Sequence, residues 1–330
     1  MIHGQLRSLL TPPTRRQLET VSSAVALFRQ SQTDMVFYSA EDSHGSTMLC
    51  ATVSDLTVRL RQTLWKREHP IILTSATLAV GGDFRRFKEE IGLLTDSRVR
   101  ESVSLSPFDY QQNCLLYLPQ TPPHQKDNAY YDRLAEEITA LLEAVQGHAL
   151  ALFTSYAAMS AVQERLQGHG LTYPLFTMGR STLHTTEQFR AHPGGILLAA
   201  GVAWEGFDFP GDCVSLLIIP RLPFAVPDAL KEKEREKYPT LQLFIRSVVV
   251  PEMQIKLRQG VGRAIRTETD TCVVAILDER AARGQRYYKD VLTALPEMPV
   301  TSSLEDVKRF IRAVKDDDYF MEAASWIQSK

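Results

Sequence analysis

HALALFTSYAAMSAVQERLQGHG, residues 148 to 170, changes periodicity partway along. ALALF is a short, continuously apolar run, as expected of a strand covered on both faces. After the hydroxyl-bearing TSY, Met159, Val162 and Leu166 recur at helical spacing up to Gly168, a residue suited to a helix end. A strand running directly into a helix predicts a βα unit, and similar units flank it. Upstream, Leu134, Ile138, Leu141, Leu142 and Val145 form a helical stripe that ends at Gly147. Downstream, LTYPLF, GILLAA, VSLLII and CVVAIL read as further strands with helical segments among them. This alternation predicts an α/β fold with a mostly parallel sheet covered by helices. In such sheets ligands bind at the carboxyl ends of the strands.

The N-terminal part reads differently. A helix is expected around Arg15 to Phe28, then a hairpin made by MVFYSA and TMLCATV across EDSHGS. Asp55 is placed to cap a helix carrying Leu56, Leu60 and Leu64, and HPIILTSATL reads as a buried strand. The helix FRRFKEEIGL ends near Gly92, and RVRESVSLSPFDY looks extended. Two domains are therefore expected, a smaller one over 1–97 and a larger one over 98–330.

The 330 residues are 44% hydrophobic and 23% charged, with a formal net charge of −2, so no global basic excess draws the chain to nucleic acid. A local basic groove remains open. Cys50, Cys114, Cys213 and Cys272 lie far apart with no CxxC spacing, which points to buried reduced thiols and away from a local zinc or iron-sulfur site. No apolar run approaches the ~20 residues that cross a bilayer, and the N-terminus lacks a signal-peptide pattern, so a cytoplasmic protein is expected.

Four segments bear chemistry at predicted strand or helix ends. Ser75 and Thr77 follow the apolar IIL. Thr154 and Ser155 follow ALALF, where hydroxyls commonly contact sugar-phosphate backbone. GILLAA runs into GVAWEGFDFPGD, in which Gly206 permits a tight path beside the acceptors Glu205 and Asp208. In RQGVGRAIRTETD, taken as helix at about 100° per residue, Gln259, Arg263 and Arg266 leave from one face as a fork of donors suited to phosphate. Gly260 and Gly262 in that helix each cost on the order of 1 kcal/mol relative to alanine, which predicts a close approach to the backbone. Trp204, beside Phe207 and Phe209, reads as packing rather than as a base-stacking platform.

TSATL, LFTSY, GVAWEGFDFPGD and QGVGRAIR, followed by LDER and YYKDVLTALP, resemble motifs III to VI and the C-terminal signature of the DinG/XPD branch of superfamily 2 DNA helicases. SPFDY and IIPRLPFAVPD also look like that family, so the resemblance covers roughly residues 35 to 315. It implies a RecA-like second motor domain over 98–330 and a C-terminal remnant of the first motor domain over 1–97. It further implies ATP and Mg²⁺ as cofactors, DNA repair as a setting, and 5′ to 3′ movement on single-stranded DNA. Gln259, Arg263 and Arg266 would approach the γ-phosphate, the two arginines as arginine fingers. Glu205, Gly206, Asp208 and Gly262 would belong to the nucleotide side and couple it to DNA grip. Ser75 and Thr77 would link the motor domains, and Thr154 and Ser155 would lie near the strand's phosphates.

The departure from the family is equally plain. No GxxxxGK[ST] phosphate loop and no DEAH-like acidic box occurs in the sequence. Both precede TSATL in the family, as do iron-sulfur cysteines where these exist. The chain is expected to begin after them, to need an N-terminal helicase half as partner, and to be inactive alone. A nonenzymatic RecA-like module that binds nucleic acid or a partner is the alternative.

Overall fold

The computed structural model describes residues 11–29, 35–42, 45–104, 106–168, 170–179, 182–192, 194–204, 209, 211–265 and 267–321. The chain divides into two compact units, one of residues 1–72, 87–99 and 226–244, the other of residues 73–86, 100–225 and 245–330.

The first unit opens with α1 (Pro12–Arg29), which buries none of its residues. The hairpin follows as β1 (Met35–Glu41) and β2 (Thr47–Val53), antiparallel from Met35↔Val53 to Glu41↔Thr47. The cap position of α2 (Thr57–Thr63) is Leu56, not the expected Asp55, which stands one residue earlier and whose carboxylate accepts from the Thr57 N–H at 2.8 Å and the Thr57 hydroxyl at 2.6 Å. The sequence FRRFKEEIGL forms α3 (Arg85–Ile91), whose last carbonyl accepts from Trp65 Nε1 at 2.8 Å. The expected strand HPIILTSATL does not form; its residues are irregular, and Ile72 is 88% exposed. An isolated strand leaves its backbone groups unpaired, and among the described residues the hairpin sheet has only its two strands. No described residue before Cys114 is buried.

The second unit is built on a seven-stranded sheet. Its elements in chain order are β3 (Cys114–Tyr117), α4 (Tyr130–Val145), β4 (Ala149–Phe153), α5 (Tyr156–Gly168), β5 (Leu175–Thr177), α6 (Thr182–Arg190), β6 (Ile196–Ala200), β7 (Leu216–Ile219), α7 (Val250–Val261), β8 (Cys272–Ile276), α8 (Tyr288–Ala294), β9 (Val300–Thr301) and α9 (Leu304–Val314). The order across the sheet is β5-β6-β4-β7-β8-β3-β9, and every pairing is parallel. The run CLLY is too short to carry a periodic signal; it is a strand because β8 and β9 flank it.

Alternate strand residues feed two cores, as the two-residue side-chain period requires. Leu152, Leu197, Leu217 and Val274 pack with Trp204, Met253, Leu257 and Val291 on one face. Ala151, Phe153, Leu198, Ile218 and Ala275 pack with Ile138, Leu142, Val162, Val307 and Ile311 on the other. The strands are thus apolar on both sides, which is why they read as continuous hydrophobic runs. The turn between α4 and β4 depends on Gly147: it sits at φ +81°, and a Cβ there would lie 2.1 Å from the Gly194 carbonyl oxygen. Cys114 and Cys272 face each other in register as buried free thiols, and burial pushes the Cys114 thiol up to about 12.

Candidate nucleotide and strand-binding edge

Because all seven strands are parallel, their carboxyl ends share one edge of the sheet. Thr154 and Ser155 emerge there after β4, both exposed. Ser155 also has a local structural task, since its hydroxyl accepts from the Ala158 N–H at 3.2 Å and so caps α5. After β6 the chain makes a 3₁₀ turn over Gly201–Trp204. Trp204 is buried, and its Nε1 donates to the Phe153 carbonyl at 2.9 Å, tying the ends of β4 and β6 together. This tryptophan is packing, in keeping with its sequence context. Glu205, Gly206 and Asp208, which follow it, lie outside the described residues, as does Arg266.

Helix α7 brings the other expected donors, with a change in its extent. It ends at Val261, and Gly262 caps it, its N–H bonded to the carbonyls of Arg258 and Gly260. The Arg263 and Ala264 N–H groups then bond back three residues, to Gly260 at 3.0 Å and Val261 at 3.1 Å. The chain tightens there into turns, so Gln259 and Arg263 do not share one continuous helical face. Gln259 lies in the last helical turn and Arg263 in the turns beyond it, both half-buried. Beyond Arg266 the Asp270 carboxylate accepts from the Thr267 N–H at 2.8 Å and its hydroxyl at 2.7 Å, which fixes the exit of this segment.

The two glycines separate cleanly. A Cβ on Gly260 would stand 2.8 Å from Trp204 Cζ3 and 3.3 Å from Leu152 Cδ1. The close approach expected at this backbone is therefore made by Trp204. At Gly262 the nearest atoms would be carbonyl oxygens at 3.5 Å, an ordinary contact.

Ser75 and Thr77 lie in an exposed turn with their hydroxyls 3.1 Å apart. The residues just after them are joined to α7: Arg258 Nη1 donates to the Ala79 carbonyl at 3.0 Å while its Nε donates to the Ala294 carbonyl at 2.9 Å. Arg86 reaches Glu252 on the same helix at 3.2 Å. Burial lowers the pKa of Arg258 below the usual arginine value. Arg258 carried no signal of its own in the sequence, being one arginine among several.

At the ends of β7 and β8 a second polar cluster appears. Buried Asp278, from LDER, takes a two-point contact from Arg280, Nε at 2.9 Å and Nη2 at 2.6 Å, and accepts from the Leu222 N–H at 2.8 Å. Burial works to raise the Asp278 carboxyl, and the Arg280 contacts with the two amide bonds overcome it, leaving the pKa below the ordinary value. Arg280 lies over the Phe224 ring at 4.8 Å.

Gln259 and Arg263 lie on adjoining turns, both half-buried. Among the described residues no group of three or more His, Cys, Asp or Glu side chains is placed to hold a metal, and no helix is long and apolar enough to cross a membrane.

Residues 138–298 match the helicase C-terminal domain family. The chain is 32% identical over 295 residues to the ATP-dependent DNA helicase YoaA of Haemophilus influenzae, covering 88% of this chain and 46% of that protein. It is 32% identical over 269 residues to the ATP-dependent DNA helicase DinG of Photobacterium profundum, covering 77% and 38%. With the ATP-dependent helicase DinG of Mycobacterium tuberculosis the identity is 31% over 308 residues, covering 91% and 46%. The chain thus spans about half the length, or less, of these relatives. An XPD helicase structure superposes with a TM-score of 0.58 at 17% identity over 84% of this chain and 49% of that one, a likeness of fold. A parallel, twice-covered sheet of RecA-like fold, with a helicase C-terminal domain match at its centre, makes this chain a helicase C-terminal region similar over most of its length to DinG and YoaA proteins.

Proposed function

We propose that this chain supplies the second motor domain of an ATP-dependent DNA helicase that moves 5′ to 3′ on single-stranded DNA. The observation that carries the reading is one connected edge: Trp204 joins the strand end bearing Thr154 to the 3₁₀ turn of Gly201–Trp204 and packs under Gly260 of the helix bearing Gln259. A change at any of these three segments is felt by the others.

In this reading Arg263 and Arg266 act as arginine fingers, placing positive charge where it develops on the transferring phosphoryl group. Gln259 and Gly262 belong to the nucleotide side. Glu205, Gly206 and Asp208 couple that side to Thr154 and Ser155, which hold backbone phosphates of the strand. ATP with Mg²⁺ supplies the phosphoryl transfer. Its phosphates are held by a phosphate loop from an N-terminal helicase half, because none occurs in these 330 residues. Residues 1–97 form the end of the first motor domain, 98–330 the second, and Ser75 and Thr77 the link between them. The chain alone turns over no ATP, and the compartment implied is the cytoplasm.

The test is ATP hydrolysis with and without single-stranded DNA, on the chain alone and after addition of a matching half that carries the phosphate loop. Activity only in the mixture, lowered by orders of magnitude in Arg266→Ala with ATP binding retained, supports the reading. The missing phosphate loop favours a second reading, a nonenzymatic RecA-like binding module. Stable association of the halves without turnover would favour that module.

A further inference from the structure

We propose that Arg258 is a positioning residue that makes the loop after Ser75–Thr77 move as one body with α7. The inference rests on the motor reading for its catalytic consequence and on geometry alone for the contact. Arg258 lies on α7 one residue before Gln259. Its guanidinium spans two carbonyls that are far apart in sequence, Ala79 at 3.0 Å and Ala294 at 2.9 Å. Both acceptors are uncharged main-chain oxygens, so this half-buried cation has been given a clamp between backbone segments. A planar fork can serve two diverging acceptors at once, which a lysine ammonium on a flexible stem does poorly.

Two further contacts point the same way. Arg86 pairs with Glu252, two turns earlier on α7, so the loop is held at both of its ends. Between those ends Val80 and Asp83 exchange backbone hydrogen bonds of 3.1 and 3.0 Å, closing the loop into a compact turn, and a Cβ on Gly81 would stand 3.6 Å from Thr293 Cγ2 of α8. Ser75 and Thr77 enter this clamped turn directly. Any displacement of α7 is therefore passed through Ala79 toward Ser75 and Thr77.

The Val80 and Asp83 amides report the clamp in hydrogen–deuterium exchange of the full chain. Losing a hydrogen bond from a charged donor predicts that Arg258→Ala speeds their exchange about tenfold or more, with amides of β4 and β6 unchanged. Arg258→Lys, which keeps the charge, is expected to recover only part of the protection, and it serves if the alanine variant loosens the strands as well. Unchanged exchange at Val80 and Asp83 in both variants overturns the proposal. In the reconstituted motor Arg258→Ala is expected to lower DNA-stimulated kcat about tenfold while KM for ATP stays within about twofold. A raised KM with unaltered kcat would make Arg258 a nucleotide contact and also overturn it. If the reconstituted wild type hydrolyses no ATP, the motor reading fails, and the exchange measurement still decides the clamp.

Discussion

Alanine at Gly260 and alanine at Gly262 should have opposite effects, although the two glycines stand two residues apart in one motif. At Gly260 the new methyl would meet Trp204 Cζ3 at 2.8 Å, Cε3 at 3.1 Å and Leu152 Cδ1 at 3.3 Å. Trp204 has nowhere to retreat, being 1% exposed and held by its hydrogen bond to Phe153. Overpacking of this kind costs about 1–3 kcal/mol, and better helix propensity offsets at most about 1 kcal/mol of it. The expected net loss for Gly260→Ala is about 1–2 kcal/mol. Gly262 sits at φ −62° with its nearest contact at 3.5 Å, so alanine fits and narrows the unfolded ensemble, a gain of about 0.4–1 kcal/mol. The two variants should differ by roughly 2 kcal/mol, or about 4–8 °C in Tm for a domain of this size. Urea and thermal unfolding followed by circular dichroism read the difference. A double-mutant cycle with Trp204→Phe, which removes the crowding ring atoms, should show a coupling of about 1 kcal/mol. Equal stability of the two alanine variants, or no coupling to Trp204, would refute the assignment of Gly260 to the tryptophan contact.

His148 makes a second test. Its ring is buried, its Nδ1 donates to the Asp212 carbonyl at 2.8 Å and it stacks on Tyr319 at 4.2 Å; burial lowers its pKa to about 4. The unfolded chain takes up this proton near pH 6.5, so stability present above that pH is lost as pH falls toward 4, at about 1.4 kcal/mol per unit. His148→Asn keeps a donor and tolerates the positive φ of 44°, and it should flatten the stability–pH profile by about one proton in that window. An unchanged slope would show that His148 is not the group responsible. Asp278→Asn removes the charge from the buried end of the Arg280 contact, with Arg280 itself partly open to solvent, and should cost about 1–3 kcal/mol by urea unfolding; a loss below about 0.5 kcal/mol would contradict the role given to this carboxylate.

The α/β class, the alternation of strands and helices and the order of the four functional segments follow from local signals. ALALF, GILLAA and CVVAIL are apolar on both faces because parallel strands are covered on both, and that property lies in adjacent residues. The same locality explains the Asp55–Thr57 hydrogen bonds at the start of α2. What depended on partners distant in sequence was hidden. HPIILTSATL has a strand's composition but no described neighbour to complete its hydrogen bonds, whereas the four residues of CLLY become a strand between β8 and β9. The tryptophan that accounts for Gly260 and the Arg258 clamp come from residues some 50 to 180 positions away. Sequence by itself determined which side chains are candidates for phosphate chemistry. Tertiary structure decided which backbone they were bolted to, because close packing and hydrogen-bond completion are properties of neighbours in space.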